Sequence, residues 1–198
     1  MNPKPYSESC DQNRDPILKV IQPLLKDKKH VLEIGSGTGQ HAVYFAQKMP
    51  HLTWQTSDQE AYHAGILQWL QDAGLDNTPA PIKLNVSTDN WPEQKFDAIF
   101  SANAVHIMSW QNVVDFIQHA GKRLAPGGLL ILYGPFNYHG AYTSESNARF
   151  DLWLKERDPE SGIRDFEAMD QLANKAGLQL LGDYEMPANN RILCWKKQ

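Results

Sequence analysis

The chain has few cysteines and no long apolar run. Its 198 residues include two cysteines, Cys10 and Cys194, one near each end. Two thiols cannot build a disulfide framework, and the N-terminus opens with no apolar signal segment, so we expect a reducing, cytoplasmic setting with both thiols free. No apolar run approaches the length of a bilayer span, so we expect no membrane contact.

Long runs of one charge are also missing. The chain has 19 basic and 23 acidic residues and a formal net charge of −4. A protein that grips duplex nucleic acid through its phosphates needs a basic surface, so we expect no nucleic-acid partner. With 41% hydrophobic residues, the chain is long enough for one well-buried core, and we predict a single domain over residues 1–198. The sequence is silent on oligomeric state.

A glycine-rich turn directly after a short apolar run is the main feature that is present. Residues 31–34 suit a buried parallel strand, and residues 35–39 follow with G-x-G-x-G spacing. Glycines here let the backbone approach a ligand that a Cβ would block, although a structural strand-to-helix turn has the same pattern. A dinucleotide fingerprint would place its third glycine where this chain has Gln40. The acid Glu33 suits a cationic ligand better than a pyrophosphate.

This combination resembles motif I of the class I S-adenosylmethionine (SAM) methyltransferases, whose cofactor carries an ammonium, a sulfonium and a ribose. In doubly wound sheets an acid about twenty residues further on, at the end of the next strand, holds the ribose hydroxyls. Asp58 ends the strand-like residues 53–58 at that distance. We predict that Asp58 binds the ribose, and its alternative role is the N-cap of the following helix.

A third strand-like run, residues 81–86, ends in polar Asn85 and apolar Val86. The resemblance implies that a side chain here contacts the adenine amino group, and that an acid is commoner than an amide. An amide still accepts a hydrogen bond from an amine and donates one to a ring nitrogen. We therefore keep Asn85 as a candidate adenine contact.

Strand-like and helix-like segments alternate along the chain, and this order predicts the fold class. The last two strand-like runs flank the turn-rich residues 186–190, which is typical of a hairpin. We predict an α/β, Rossmann-like class I methyltransferase fold, with a seven-stranded, mostly parallel sheet, a C-terminal antiparallel hairpin and helices on both faces. The first predicted helix begins at Pro16, and the others cover residues 40–48, 62–73, 113–124, 148–156 and 165–176. The later predicted strands cover residues 96–101, 129–133, 178–184 and 192–195. We predict a turn at residues 126–128.

Several segments resemble one small, functionally uncharacterised family of SAM-dependent methyltransferase-like proteins. They lie at residues 37–41, 54–58, 103–107, 133–136, 146–151, 162–165 and 186–190. The resemblance covers nearly the whole chain and implies SAM as cofactor, with S-adenosylhomocysteine as product, but no particular substrate. It places the cofactor-binding core at residues 15–133 and the substrate side at 134–198. Gln12 stands where the family usually has Arg, which leaves any role of that position open.

The cofactor site predicted from these patterns gathers residues from the segment before the first helix, the glycine turn and the helix after it, and the ends of the first four strands. We assign no metal ligands. The predicted cofactor contacts are Asn13, Glu33, Gly35, Ser36, Gly37, Gly39, His41, Asp58, Asn85, Val86, Ser101 and Asn103.

The methyl acceptor is expected beyond the carboxyl ends of the fourth and fifth strands. His106 follows the fourth strand. Because imidazole titrates near neutral pH, His106 is the natural candidate for a general base, and its alternative role is packing or hydrogen bonding within a loop.

The fifth strand leads into residues 134–143, which mix aromatic residues with amides and glycines. This composition suits a pocket wall or a lid. Our candidates here are Tyr133 and Asn137, together with His106, as catalytic residues, and Tyr138 and Arg164 as further residues of the acceptor site.

Arg164 has two interpretations. Its guanidinium suits a carboxylate or phosphate on a substrate. Alternatively, it forms a local ion pair with Asp165 or Glu167, which follow it closely.

These patterns favour a methyltransferase that acts on a small molecule at an O or N acceptor. The alternative is a non-catalytic SAM-binding or interaction protein on the same fold, and an NAD-linked oxidoreductase ranks last. We also predict that residues 1–14 form an N-terminal segment or lid. Residues 9–14 precede the first helix, and in one interpretation they fold over the cofactor, with Asn13 at the amino-acid end of SAM. A helix-capping turn is the alternative for that segment.

Overall fold

In a computed structural model, which describes residues 4–198, a seven-stranded sheet organises the chain in the order β3-β2-β1-β4-β5-β9-β8. Neighbours from β3 to β5 pair in parallel, whereas β9 pairs antiparallel with both β5 and β8. The predicted sheet with its C-terminal antiparallel hairpin is therefore confirmed. The strands are β1 (His30–Ile34), β2 (Thr53–Asp58), β3 (Ile82–Lys83), β4 (Phe96–Ala102), β5 (Leu124–Gly134), β6 (Phe136–Asn137), β7 (Arg164–Asp165), β8 (Leu178–Met186) and β9 (Asn190–Lys197), of which β6 and β7 form a separate two-stranded ribbon.

Side chains along each strand alternate between the two faces of the sheet, and both faces carry apolar residues. Helices cover both faces and bury these residues. On β4, Phe100 packs with Ile17 and Phe45 of one helical layer, whereas Ile99 packs with Phe116 and residues of the other layer. The helices are α1 (Glu8–Leu24), α2 (Gln40–Lys48), α3 (Glu60–Ala73), α4 (Trp110–Arg123), α5 (Glu145–Arg157) and α6 (Phe166–Lys175). Within residues 4–198, no helix combines the length and the apolar character that crossing a bilayer requires.

The first helix begins earlier than predicted. Helix α1 starts at Glu8 and continues through Pro16, so residues 9–14 belong to the helix and do not precede it. Proline favours the first turn of a helix, which is why it marked the predicted start. The extra turns pack on α2, where Asn13 contacts His41 and Asp15 accepts a hydrogen bond from Tyr44. Of the predicted lid, residues 1–3 lie outside the described residues.

Two strands also differ in length from their predictions. Strand β3 pairs with β2 only through Ile82 and Lys83, because Oδ1 of Asn85 accepts the backbone amide of Ser87 and bends the chain there. Strand β5 starts early, at Leu124, and absorbs the predicted turn at residues 126–128 as an irregularity in its pairing with β4.

Candidate functional site

The glycine turn after β1 is held by backbone hydrogen bonds. The amides of Gly35 and Ser36 both donate to the carbonyl oxygen of Ser57 at 3.1 Å. Gly37 has φ +57°, and a Cβ built on it would meet nothing within 4 Å. The turn therefore presents bare backbone to open space, which is the arrangement that lets a ligand approach closely.

Asp58, at the end of β2, completes this turn. Its Oδ2 accepts the amide of Gly37 at 2.8 Å, and its Oδ1 accepts the amide of Gln59 at 2.7 Å. Burial raises the pKa of the Asp58 carboxyl, and the two amides oppose that rise. Gln59 occupies the N-cap of α3, and its side chain makes no cap hydrogen bond. The carboxylate of Asp58 thus shapes the glycine turn and does not cap the helix.

Glu33 is buried beneath the turn, on β1. The indole Nε1 of Trp54 donates to its carboxylate at 3.3 Å, and Ser36 also hydrogen bonds to it. Burial raises the pKa of Glu33 to about 7, against these hydrogen bonds and with a smaller contribution from the charge of Asp58. Glu33 therefore carries a proton for much of the range below neutral pH.

A hydrogen-bonded chain of three side chains links α2, α1 and β5. Nε2 of His41 lies 2.6 Å from Oδ1 of Asn13, and Asn13 also hydrogen bonds to the hydroxyl of Tyr133. Burial lowers the pKa of His41 to about 4, with a further contribution from Arg14. A neutral His41 donates from Nε2, and this leaves the Asn13 amide nitrogen to donate to Tyr133.

A cleft of about 580 Å³ opens at the carboxyl edge of the sheet, above the glycine turn. Six of the predicted cofactor contacts line it: Gly35, Ser36, Gly37, His41, Asp58 and Asn103. Asn103 adopts a left-handed backbone conformation, with φ +55°, directly after β4. The structure thus brings residues from β1, β2, β4 and α2 to one cleft.

The other predicted cofactor contacts lie outside this lining. Glu33 lies beneath the turn, and Gly39 is the left-handed N-cap of α2. The hydroxyl of Ser101 donates to the carbonyl of Ile34 at 2.8 Å, and Val86 packs in the core. Asn85 accepts the Ser87 amide, as described above. Asn13 lines a second cavity and reaches the cleft through His41.

Two acids of the cleft, Asp158 and Glu160, were not predicted from the sequence. They come from the segment after α5, about a hundred residues from Asp58. Among residues 4–198, those that line the cleft include these three acids and no lysine or arginine. The cleft is therefore electrostatically suited to a ligand with positive charge.

A second cavity of about 790 Å³ adjoins the cleft. The two share three lining residues, Ser9, Asn103 and Ile107. Two predicted catalytic candidates, His106 and Tyr133, line the second cavity. Molecules held in the two cavities would meet beside Asn103.

The imidazole of His106 is 4% exposed, and its Nδ1 is buried with no hydrogen-bond partner in the described part of the chain. Its ring packs edge-on against Phe150, with centroids 5.3 Å apart. Burial lowers the pKa of His106 to about 4, and the nearby charge of Arg164 adds to that effect. His106 is therefore neutral at physiological pH, and a nitrogen of its neutral ring has a free lone pair.

Arg164 has a role that neither sequence interpretation anticipated. Its guanidinium donates to the carbonyl of Val105 at 3.2 Å, to that of Glu160 at 2.9 Å, and to that of Met108. These bonds fasten the segment that carries His106. Glu167, one of the two predicted partners of Arg164, pairs with His139. The guanidinium is thus committed to backbone carbonyls.

Asn137 and Tyr138 also lie away from the second cavity's lining. Asn137 belongs to β6 and is paired with Asp165 of β7. The hydroxyl of Tyr138 donates to Asp183 at 2.8 Å, and its ring stacks on Phe166. These two contacts tie Tyr138 to the first residue of α6 and to β8 of the terminal hairpin.

Helix α5 supplies the part of the second cavity that sequence reasoning missed. Asn147, Phe150 and Trp153 all line it, and the two aromatic rings stack with centroids 5.7 Å apart. The available signal was the family-like segment at residues 146–151, to which we assigned no function. Helical spacing alone does not say which helix face meets a cavity.

Solved structures of methyltransferases share this fold. An O-methyltransferase family protein from Burkholderia thailandensis has a TM-score of 0.78 and 17% identity over 93% of this chain and 58% of its own. An O-methyltransferase family 2 protein from Planctomyces limnophilus, in complex with apigenin, has a TM-score of 0.83 and 16% identity over 96% of this chain and 60% of its own. Human N-acetylserotonin methyltransferase, in complex with SAM, has a TM-score of 0.81 and 15% identity over 96% of this chain and 53% of its own.

At these identities the likeness concerns the fold, and the chain spans 53% to 60% of the length of these three proteins. The class I methyltransferase fold predicted from the glycine turn and the terminal hairpin is therefore confirmed. A family model described as "Protein of unknown function (DUF938)" matches residues 4–197. The resemblance to a small uncharacterised family is confirmed with it, and this chain belongs to the DUF938 family.

Proposed function

We propose that this protein is a SAM-dependent methyltransferase that acts on a small molecule at an O or N acceptor. The observation that carries the proposal is the junction of two cavities beside Asn103. One cavity is lined by the glycine turn and Asp58, and the other by His106 and Tyr133. A methyl donor and an acceptor held in them would be adjacent, and such alignment is the main contribution an enzyme makes to a direct displacement.

The residues of the cleft fit SAM. Bare backbone at Gly37 leaves room for close approach, the Asp58 carboxylate suits ribose hydroxyls, and the excess of acids suits an ammonium and a sulfonium. When bound, SAM supplies a methyl group on a positively charged sulfur. Gly35, Ser36, Gly37, His41, Asp58 and Asn103 are proposed as its direct contacts, and Asn13, Glu33, Gly39, Asn85, Val86 and Ser101 as contacts or supports of the same site.

On the acceptor side, we assign His106 the role of general base. Its neutral imidazole accepts a proton from an acceptor hydroxyl or amine in the second cavity. Tyr133 lines the same cavity and is oriented by Asn13, so it is placed to position the acceptor. Asn137 lies in the neighbouring β6 ribbon, and we retain it only as an indirect contributor.

A non-catalytic SAM-binding protein is the second candidate. It is favoured by one observation, the pKa of about 4 at His106, because so weak a base removes a proton only from an acidic acceptor. The two candidates differ in whether SAM is ever converted to S-adenosylhomocysteine.

We further propose that the N-terminal segment closes the cofactor cleft. Gln40 holds Ser7 through both backbone groups, at 2.6 and 3.2 Å, and Ser7 and Ser9 line the cleft. Pro5 is fixed by a hydrogen bond of 2.7 Å from Trp69 to its carbonyl. The described part of the predicted lid is thus fastened across α2 and α3.

Calorimetric titration with SAM, S-adenosylhomocysteine and NAD tests the proposal. We expect micromolar binding of the two adenosyl ligands and none of NAD. Binding followed by methyl transfer to a small acceptor would support the enzyme, and binding without turnover would favour the second candidate. Absence of SAM binding would overturn both.

A further inference from the structure

The lining of the second cavity has an unusual composition. In a chain with 21% charged residues, it contains no Asp, Glu, Lys or Arg among the residues described. Its polar groups are instead amides and hydroxyls, at Ser9, Gln12, Asn13, Asn103, Tyr133, Ser146, Asn147 and Asn190. The acids at this edge of the sheet gather in the adjoining cleft.

The two titratable side chains on the wall are held neutral. Burial lowers the pKa of His106 and raises that of Tyr133. An ionised ligand would thus lose water without gaining an opposite charge, which is costly. The charge of Arg164 acts on His106, but its bonds to backbone carbonyls leave it off the lining.

The apolar walls are flat. Phe150 and Trp153 stack with an interplanar angle of 18°, and Pro16, Pro135 and Pro187 line the same cavity. Aromatic and proline surfaces of this kind suit a planar ligand.

Within residues 4–198, one buried polar atom of this wall has no hydrogen-bond partner, and it is Nδ1 of His106. Asn147, which is only 5% exposed, also lines the wall. Its amide nitrogen donates to the Thr143 hydroxyl and the Asn189 carbonyl, so its amide oxygen is the acceptor of that side chain. A neutral imidazole and an amide oxygen are both acceptors for a ligand hydroxyl or N–H group.

We infer that the second cavity recognises a planar molecule without ionised groups, which presents a hydroxyl to His106. The inference rests on the proposed function, because it names the acceptor class of that site. It excludes carboxylates, phosphates and alkylamines as acceptors.

Three phenols of similar size test the inference: para-hydroxybenzamide, which is neutral, para-hydroxybenzoate and tyramine. Their dissociation constants are measured by ligand-observed NMR on the full chain saturated with S-adenosylhomocysteine. We expect the neutral probe to bind at least about tenfold more tightly than either ion. Gln12→Arg, which adds a cation to the wall, is expected to bring para-hydroxybenzoate level with the neutral probe. Gln22→Arg, on the same helix but off the lining, is the control and is expected to change nothing.

An ionised probe that binds the unaltered protein as tightly as para-hydroxybenzamide would overturn the inference. So would the absence of binding by all three probes while S-adenosylhomocysteine binds. If calorimetry shows that S-adenosylhomocysteine does not bind, the proposed function is contradicted. Binding of the three probes to the protein without S-adenosylhomocysteine then still tests the inference about the second cavity.

Discussion

The carboxylate of Asp58 accepts the backbone amide of Gly37 at 2.8 Å, across 21 positions of the sequence. This bond ties the end of β2 to the glycine turn after β1. The other carboxylate oxygen of Asp58 accepts the backbone amide of Gln59. The side chain proposed to bind the ribose therefore also fixes the backbone on which the cofactor would lie.

Asp58→Ala is expected to weaken SAM binding by about 1.5 to 3 kcal/mol, or about tenfold to 150-fold, the range for hydrogen bonds to a charged group. Calorimetric titration measures the change. Asp27→Ala, at an exposed position after α1, is the control and should leave the affinity unaltered. An unchanged affinity in the Asp58 variant would leave this residue with a role in turn geometry only.

His106→Ala should lower turnover at saturating SAM by about a hundredfold or more, the usual contribution of a general base. SAM affinity should stay constant, because His106 lines the acceptor cavity and not the cofactor cleft. Steady-state kinetics and calorimetry separate the two effects. His30→Ala, at the exposed start of β1, is the matched control, and equal turnover in both variants would remove His106 as the base.

Arg164→Met should destabilise the protein by about 2 to 3 kcal/mol, because three backbone carbonyls lose a charged donor. Urea unfolding at neutral pH gives the free energy difference. Arg149→Met, on the exposed face of α5, should change stability by less than about 0.5 kcal/mol. Equal stability of the two variants would mean that the guanidinium does not fasten the His106 segment.

Glu33 makes stability depend on pH in a definite direction. The folded protein keeps the Glu33 proton up to about pH 7, whereas the unfolded chain releases it near the ordinary value of 4.5. The free energy of unfolding should therefore fall as the pH rises between these values, by about 3 kcal/mol from this group.

Glu33→Gln removes that dependence, and its stability relative to the unaltered protein should rise from pH 5 to pH 8. Urea unfolding at both values measures the difference. His41 and His106 are present in both proteins, so their own titrations cancel. A constant difference between the two proteins would contradict the raised pKa of Glu33.

Gln40→Ala should release Ser7 and weaken SAM binding by about threefold to tenfold, since two ordinary hydrogen bonds are lost. Gln47→Ala, exposed on the same helix, provides the comparison. Calorimetry on both variants tests whether the N-terminal segment closes over the cleft. Identical affinities would show that it does not.

The fold could be predicted because its signals are local. Residues 31–39 carry a buried strand and its glycine turn in one short stretch, and the hairpin at residues 186–190 has turn residues between two strand-like runs. The start of α1 was misplaced because a proline inside a helix has the same local signature as one at its first turn. Tertiary contacts of Asn13 with α2 decide between these possibilities.

The candidate site was only partly predictable. Asp58 and His106 follow strands directly, so topology alone brings them to the carboxyl edge of the sheet. Asp158, Glu160 and Phe150 reach the same edge from the far end of the chain. The charge of Arg164 suits an anion, so the sequence suggested a substrate contact. Only the hydrogen bonds of its guanidinium to carbonyl oxygens show that it holds a loop in place.

The left-handed backbone at Asn103 limits how the junction of the two cavities can be altered. Apart from glycine, side chains such as Asn and Asp tolerate this conformation best, and β-branched side chains tolerate it worst. We therefore expect position 103 to tolerate only Asn, Asp and Gly. A saturation library there should return these three amino acids among its folded members, whereas Ile107, at 57% exposure, should tolerate a wider range of side chains without loss of folding.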